Sequence, residues 1–320
     1  MSEFWSTQRV LVTGGHGFLG SAVCRALATR QPAELFSPRQ SEYDLTKVEQ
    51  AQAMIERFRP DLIIHLAASV GGIGANRARP ADLYLSNLLM GTYVLEQARL
   101  QQVAKTVMIG TICSYPKFTP VPFVESSLWQ GYPEETNAPY GIAKLAQLVQ
   151  LQANREQYGQ SAIYLMPTNL YGPGDKFHPD ISHVIPALIA KCVEAHEQGA
   201  DHIEVWGTGS ASREFLYVED AAEAILLASE HYDGAEPVNL GTHEERPIKD
   251  LVPMIAELVG FTGEIRWDTS KPDGQPRRCV DPSRAKALFG FEATTGFETG
   301  LAATLEWYLS HREQAVERTS

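Results

Sequence analysis

Short apolar runs rich in β-branched residues alternate with longer amphipathic stretches through the first half of the chain. Arg9-Val-Leu-Val-Thr13 predicts a buried strand and Phe18 to Arg30 a helix. Leu35-Phe36 lies in a short second strand. Asp61-Leu-Ile-Ile-His-Leu66 predicts a third strand, and Ala81 to Gln102 a long helix. Thr106-Val-Met-Ile-Gly110 and Ala162-Ile-Tyr-Leu-Met166 read as the fourth and fifth strands, with a helix from Pro139 to Tyr158 between them. Strand–helix alternation of this kind predicts an α/β fold built on a Rossmann-type doubly wound parallel sheet, whose ligands sit at the carboxyl ends of the strands. Later signals are sparser: a helix from Val218 to Ser229, a strand at Val238-Asn-Leu240 and a final helix from Leu301 to His311. The Pro/Gly-rich Lys271-Pro-Asp-Gly-Gln-Pro276 interrupts them. The expected division is a sheet lobe of residues 1–167 with a returning segment 215–258, and a smaller C-terminal substrate-binding lobe of 168–214 with 259–320.

With 320 residues the chain can bury a large core. Its hydrophobic content of 44% and charged content of 21% are ordinary for a soluble globular protein. A net charge of −12 disfavours nucleic acid or an anionic membrane as the main partner, while leaving room for local arginines to bind a small anion. Cys24, Cys113, Cys192 and Cys279 are scattered, with no metal-ligand spacing, which suits a reducing cytoplasm. No metal is expected. The N-terminal segment lacks the pattern of a signal peptide, and no apolar run has the ~18 residues a membrane span requires.

Two motifs carry the chemistry. After the first strand, Thr13-Gly-Gly-His-Gly-Phe-Leu-Gly20 can be read as Gly-x-Gly-x-x-Gly (15, 17, 20) or Gly-x-x-Gly-x-x-Gly (14, 17, 20). Placed between a strand and a helix, it offers a tight turn and a helix N-terminus to a pyrophosphate. The bland alternative is a glycine turn with no ligand. At the end of the second strand, where NAD binders carry an acid for the ribose, this chain has Arg39; it suits a 2′-phosphate and favours NADP(H), unless it is simply a solvated loop charge. Asp44 and Leu45 suit adenine contacts. The second motif is Tyr140 and Lys144, four residues apart on one helix face. The lysine's charge is expected to favour phenolate, so the pair can move a proton to or from a substrate oxygen. Thr111, after the fourth strand, adds a hydroxyl beside Tyr140, and Lys144 would also hold the nicotinamide ribose.

With these residues the chain resembles the extended short-chain dehydrogenase/reductases and, more narrowly, the GDP-L-fucose synthase family. The segments carrying the resemblance run along nearly the whole chain. They are Gly14–Gly20, Leu66–Asn76, Cys113-Ser-Tyr-Pro-Lys117, Pro139–Lys144, Met166–Pro173, Ser182–Leu188, Val205–Gly209, Arg213–Leu216 and Lys271–Gly274. The resemblance implies that Cys113 and His183 exchange protons at C3 and C5 of a 4-keto sugar, where removal of a proton gives an enolate. It implies that Tyr140 then protonates O4 as hydride arrives at C4. It places the cofactor against Gly14, Gly15, His16, Gly17, Phe18, Leu19, Gly20, Leu66, Ala67, Ala68, Asn87, Tyr140, Lys144, Pro167, Asn169, Leu170 and His183. It places the nucleotide-sugar, GDP-linked, against Thr111, Asn169, Lys191, Trp206, Arg213 and Asp273. A homodimer pairing the 81–102 and 139–158 helices is implied as well. Read without the resemblance, Cys113 also fits a small buried hydrophobe, His183 a capping or core histidine, and Trp206 a core aromatic.

This chain departs from the family pattern in carrying Thr111-Ile112-Cys113 where serine begins the run, and in the segment Thr119 to Glu125. Threonine keeps the hydroxyl and adds a methyl to the pocket. Relatives acting on other 4-keto sugars, including heptoses, remain alternatives for the sugar. An epimerase or dehydratase with tightly bound NAD and a non-catalytic cofactor-sensing protein are the rival functions; Arg39, Cys113 and His183 count against the first, the retained Tyr140/Lys144 pair against the second.

Overall fold

The computed structural model describes residues 3–71, 73–178, 182–271 and 273–317. Gly72 and Pro272, which belong to two of the resemblance segments, lie outside them. A short helix α1 (Glu3–Ser6) leads to β1 (Arg9–Thr13), α2 (Phe18–Arg30), β2 (Glu34–Phe36), α3 (Val48–Phe58) and β3 (Leu62–His65). Then come α4 (Ile73–Ala78), α5 (Pro80–Leu100), β4 (Lys105–Ile109), α6 (Ala138–Tyr158) and β5 (Ala162–Pro167). These match the expected strands and long helices to within a residue or two. The later half continues with β6 (Asn169–Tyr171), α7 (Val184–Glu197), β7 (His202–Trp206), β8 (Ser212–Tyr217), α8 (Val218–His231), β9 (Val238–Leu240) and β10 (Glu245–Pro247). It ends with α9 (Ile248–Val259), β11 (Glu264–Asp268), β12 (Arg277–Arg278), α10 (Ser283–Phe289), α11 (Phe297–Ser310) and α12 (Arg312–Glu317). Most of these shorter strands, together with α7 and α9, carried no legible signal of their own.

Six strands form one parallel sheet in the order β2-β1-β3-β4-β5-β9. Its strands are buried on both faces, so they read as continuous apolar runs rather than alternating ones. Successive residues still point to opposite sides. Val10, Val12, Leu62, Ile64, Val107, Ile109, Ile163 and Leu165 enter the core beneath α2, α8 and α10. Leu11 and Ile63 enter the core beneath α3 and α5, and Met108 and Tyr164 the one beneath α6. Pro139 sits in the first turn of α6, and Gly159 closes that helix in the left-handed conformation at φ 69°. Helices α5 and α6 lie so close that a Cβ on Gly91 would stand 2.2 Å from the Gln147 amide, which in turn donates to the Asn87 carbonyl at 2.7 Å.

A second core gathers α7, α9, α11, β7 and β11 around Tyr171, Phe215 and Phe297. Its apolar side chains include Leu251, Val252 and Ile255 of α9, whereas Ala285, Phe289 and Phe291 join the sheet lobe. The chain therefore passes between the two cores again after residue 258. The two are tied by β8, which pairs with β6, β10 and β12 before running directly into α8 of the sheet lobe. Glu214, in the middle of β8, is fully buried. Its Oε1 accepts from the Thr242 and His243 N–H groups at 2.5 and 2.8 Å, and its Oε2 from the Val280 N–H at 2.7 Å. Burial raises this carboxyl's pKa, and the three backbone donors pull it back. Glu214→Ala would strand three buried N–H groups, each costing ~1–3 kcal/mol. Its unfolding free energy in urea should fall by roughly 3 kcal/mol or more; a loss below about 1 kcal/mol would show that the strut carries little.

Candidate active site

The carboxyl ends of β1, β3, β4 and β5 converge on one edge of the sheet. At β1 the chain turns through Gly14, whose φ of 71° suits glycine and whose Cβ would lie 2.6 Å from the Ala67 nitrogen. A Cβ on Gly15 would meet Ser37 Oγ at 2.1 Å, and one on Gly20 the Gly14 carbonyl oxygen at 2.1 Å. Gly17 caps α2 without a side chain, leaving the helix N-terminus open to an anion. Thr13 ties this turn to the next strand: its Oγ1 pairs with His65 Nδ1 at 2.8 Å and accepts from the Ala67 N–H at 3.3 Å. His65, fully buried, has its pKa lowered to about 3 by burial and by the charge of Lys144, so it is neutral, and its Nε2 has no partner among the described residues.

Around this cradle stand the other residues read as cofactor contacts. His16 is exposed and its Nε2 pairs with the Ser37 carbonyl at 2.8 Å, linking the glycine turn to the end of β2. Arg39 follows; its backbone N–H donates to Glu42 Oε2 at 2.8 Å, while its exposed guanidinium has no partner among the described residues. Asp44 spends its carboxylate on the Thr46 N–H and hydroxyl at 3.0 and 2.7 Å, and Leu45 is buried. Leu66, Ala67 and Ala68 form the segment after β3, opposite Asn87 of α5, whose side chain clamps both backbone groups of Ser69 at 3.0 and 2.8 Å. Pro167 ends β5 and Leu170 lies in β6. A close backbone cradle, an open helix end and a free guanidinium together fit a phosphorylated dinucleotide.

The catalytic candidates assemble at β4 and α6. Thr111 caps the short 3₁₀ turn Ile112–Ser114, its Oγ1 accepting from the Cys113 N–H at 3.2 Å. The same hydroxyl lies near enough to the Tyr140 phenol to favour its ionised form. Ser114 donates to the Gly141 carbonyl at 3.0 Å, and a Cβ on Gly141 would stand 2.6 Å from the Cys113 carbonyl oxygen. The thiol-bearing turn is thus locked to the helix that bears the phenol. Tyr164 of β5 donates to the Lys144 carbonyl at 2.8 Å and holds α6 from the other side.

The phenol does not titrate as the Tyr/Lys spacing predicts. Burial raises the Tyr140 pKa, the Cys113 charge adds to this, and the Thr111 hydrogen bond only partly offsets them. Lys144 does not figure, because burial drives its own pKa down to about 8. Its ammonium, in a side chain 2% exposed, meets no acceptor among the described residues. An unpartnered buried ammonium fits a ligand hydroxyl pair such as a ribose.

His183 stands at the N-terminus of α7, solvent-accessible yet surrounded by protein. Desolvation and the Lys176 charge lower its pKa. Among the described residues no hydrogen bond joins it to Thr111, Cys113 or Tyr140. Of the substrate-side candidates, Trp206 is 67% exposed, with the Lys271 ammonium 5.5 Å from its ring centre, which rules out the core reading. Lys191 donates to the Glu204 carbonyl at 2.6 Å, and Asn169 to the Glu214 carbonyl at 2.8 Å. Asp273 accepts from the Thr208 N–H and hydroxyl at 2.7 and 2.8 Å, fixing the turn after Trp206. Arg213 donates to the Ser212 carbonyl at 2.7 Å. Its pKa is pushed down to about 10 by burial and by Arg278, so it stays charged at neutral pH.

Two residues were not singled out in the sequence. Arg278 Nη1 stands 3.6 Å from Cys113 Sγ, and its Nε donates to Gln275 Oε1 at 2.8 Å. Gln275, buried, donates to the Lys117 carbonyl at 2.9 Å. Only their closeness to the Lys271–Gly274 segment hinted at them.

A lysine whose folded pKa lies below its unfolded value takes up a proton on unfolding, between about pH 8 and the free-lysine value near ~10.4. Lys144's own contribution to the stability of the ligand-free protein should therefore rise with pH across that window, by at most roughly 3 kcal/mol, against the opposite trend of Cys24, Cys192 and Cys279, whose thiol pKa values burial raises. Lys144→Met should lack this contribution, while Lys105, also pushed down to about 8 by burial, keeps its own in both proteins. The difference in stability change between pH 7.5 and pH 10 for the two proteins therefore tests the assignment, and equal pH slopes would refute it. Gly20→Ala, with a Cβ 2.1 Å from the Gly14 carbonyl oxygen, should open the glycine turn. Dinucleotide affinity by calorimetry should fall at least about tenfold, the equivalent of ~1.4 kcal/mol.

Residues 10–241 match the family described as NAD dependent epimerase/dehydratase family. The chain is 42% identical to GDP-L-fucose synthase 1 of Arabidopsis thaliana, over 95% of this chain and 94% of that one. It is 39% identical to GDP-L-fucose synthase of Escherichia coli strain K12, over 97% and 99%. A solved structure of a GDP-L-fucose synthetase from Naegleria fowleri bound to NADP superposes with a TM-score of 0.88 at 29% identity, covering 96% of each chain. The chain belongs to the NAD dependent epimerase/dehydratase family, in its GDP-L-fucose synthase branch.

Proposed function

We propose that the chain uses NADPH to epimerise a GDP-linked 4-keto-6-deoxy-D-mannose at C3 and C5 and to reduce it at C4, giving GDP-L-fucose. The observation that carries the reading is a cysteine held one 3₁₀ turn from the Thr111–Tyr140 hydroxyl pair. This supports a soft base beside the two groups that would hold the C4 oxygen. The Cys113 thiolate takes a proton from the carbon next to the ketone, and the C–H electron pair moves toward O4 as an enolate. Thr111 and Tyr140 donate hydrogen bonds to that oxygen. His183 returns a proton to the other face, which inverts the centre. Its acid form is disfavoured in the free protein, and an anionic substrate shifts the balance by offsetting Lys176. After both centres are inverted, Tyr140 gives its proton to O4. NADPH, when bound, supplies the hydride that reaches C4.

The sheet lobe holds the dinucleotide. Gly14, Gly15, His16, Gly17, Phe18, Leu19 and Gly20 take its pyrophosphate, Arg39 the 2′-phosphate, and Lys144 the nicotinamide ribose. The second lobe takes the nucleotide-sugar: Arg213 and Lys191 lie at its diphosphate and Trp206 offers its exposed face to the base. Among the described residues no helix is long and apolar enough to cross a membrane. We assign the chain to the cytoplasm on its four free cysteines. We assign it to a homodimer on the exposed Tyr84, Leu85 and Leu100 of α5 and Val149 and Tyr158 of α6.

Turnover of GDP-4-keto-6-deoxymannose with NADPH in deuterated water tests the reading. One solvent deuteron each at C3 and C5, with one NADPH consumed per product, is the expected result; product without solvent deuterium would leave a plain reductase. Tyr140→Phe should lower kcat by about 100-fold or more. Unchanged turnover would remove Tyr140 from the mechanism.

A further inference from the structure

Three elements meet at the Cys113 thiol. The 3₁₀ turn carries it, α6 presents Tyr140, and the paired strands β8 and β12 present Arg213 and Arg278. In the parallel register Arg278 lies directly opposite Arg213, so both guanidiniums share one side of the ribbon. Their like charges oppose each other there, and both lie in the field of the thiol. Arg213 is anchored on the Ser212 carbonyl and, at 3.4 Å, on that of Asp273. Arg278 is aimed differently. Its Nε is latched to Gln275 Oε1, Gln275 is latched to the Lys117 carbonyl, and its Nη1 is left pointing at sulfur, 3.6 Å away. Among the described residues, the other ionisable groups acting here are Tyr140, the Asp273 and Glu245 carboxylates that act on Arg213, and Glu134, whose carboxylate is held by Thr136 and Asn137 at 2.6 and 2.7 Å and feels the Arg278 charge.

We propose that Arg278, oriented by Gln275, is the positive partner that holds the Cys113 thiolate, the base of the epimerisation. This rests on the function proposed above and adds a residue to it. A thiolate needs a fixed cation or donor to persist beside a phenol and in a partly desolvated pocket. Abstraction moves one negative charge from sulfur, beside Arg278, to O4, beside Thr111 and Tyr140, while the proton passes from carbon to sulfur. Neutral Sγ–H then loses that proton to solvent, and the thiolate forms again beside the guanidinium before the second centre is attacked. Arg278 keeps its own protons throughout, so it is a positioning residue. A guanidinium suits the task because it gives one donor to Gln275 and another to sulfur in a rigid fork.

Solvent deuterium incorporation at C3 and C5 is measured for the wild type, Arg278→Gln, Arg278→Lys and Gln275→Leu across pH 5.5–9.5, with NADPH affinity and melting temperature as controls. Arg278→Gln should slow incorporation on the order of 10- to 100-fold, the scale of one hydrogen bond to a charged group. The acid limb of its pH profile should move to higher pH, with NADPH affinity unchanged. Arg278→Lys should recover much of the rate, and Gln275→Leu should lose less than Arg278→Gln. Incorporation by Arg278→Gln within about twofold of wild type, or a loss without movement of the pH profile, overturns the proposal. Absence of incorporation in the wild type itself would instead overturn the epimerase reading.

Discussion

Glu214 is the constraint on which the joining of the two cores depends. One carboxylate, buried in the strand that crosses between them, collects backbone donors from the loop after β9 and from the segment after β12. Gly241 follows from it, since a Cβ there would lie 2.3 Å from Glu214 Oε1. The position of β12 follows too: Val280 is bound to the strut, two residues past Arg278, while Arg277 and Arg278 pair with Ser212 and Arg213. A structural acid in the core thereby sets where a cation arrives in the cleft.

The site itself is assembled under electrostatic conflict. Two arginines share one side of a ribbon, a lysine is buried without an acceptor among the described residues, and a phenol is made harder to ionise than free tyrosine. Each of these opposes stability in the ligand-free chain, and each is relieved by an anionic or hydroxyl-bearing ligand. The phenol's difficulty shows why the Tyr/Lys spacing was a poor guide to titration. Spacing sets which side chains share a helix face, but desolvation, which the spacing does not report, outweighs their mutual attraction here.

The sheet lobe was legible because its physics is local. Val10-Leu-Val12 and Leu62-Ile-Ile64 must be strands buried on both faces, and Pro139 and Gly159 bracket α6 by their own backbone preferences. The glycine turn was legible for the same reason, since only glycine leaves room at positions 14, 15 and 20. The second lobe was much less so. Its strands run two to six residues and pair with distant partners, so their existence depends on neighbours far along the chain. Asn169 and Asp273 were expected to face the substrate; the structure engages both side chains in holding strands and a turn together.

By itself the sequence determined the order of strands and helices, the phosphate-binding turn and the residue types available for proton transfer, because each follows from backbone sterics or side-chain chemistry over a few residues. Only the tertiary structure decided which charges meet. That Arg278 reaches Cys113 from 165 positions away, that Lys144 is buried and that burial governs the Tyr140 phenol depend on distance and dielectric. Both are properties of the packed chain rather than of any segment of it.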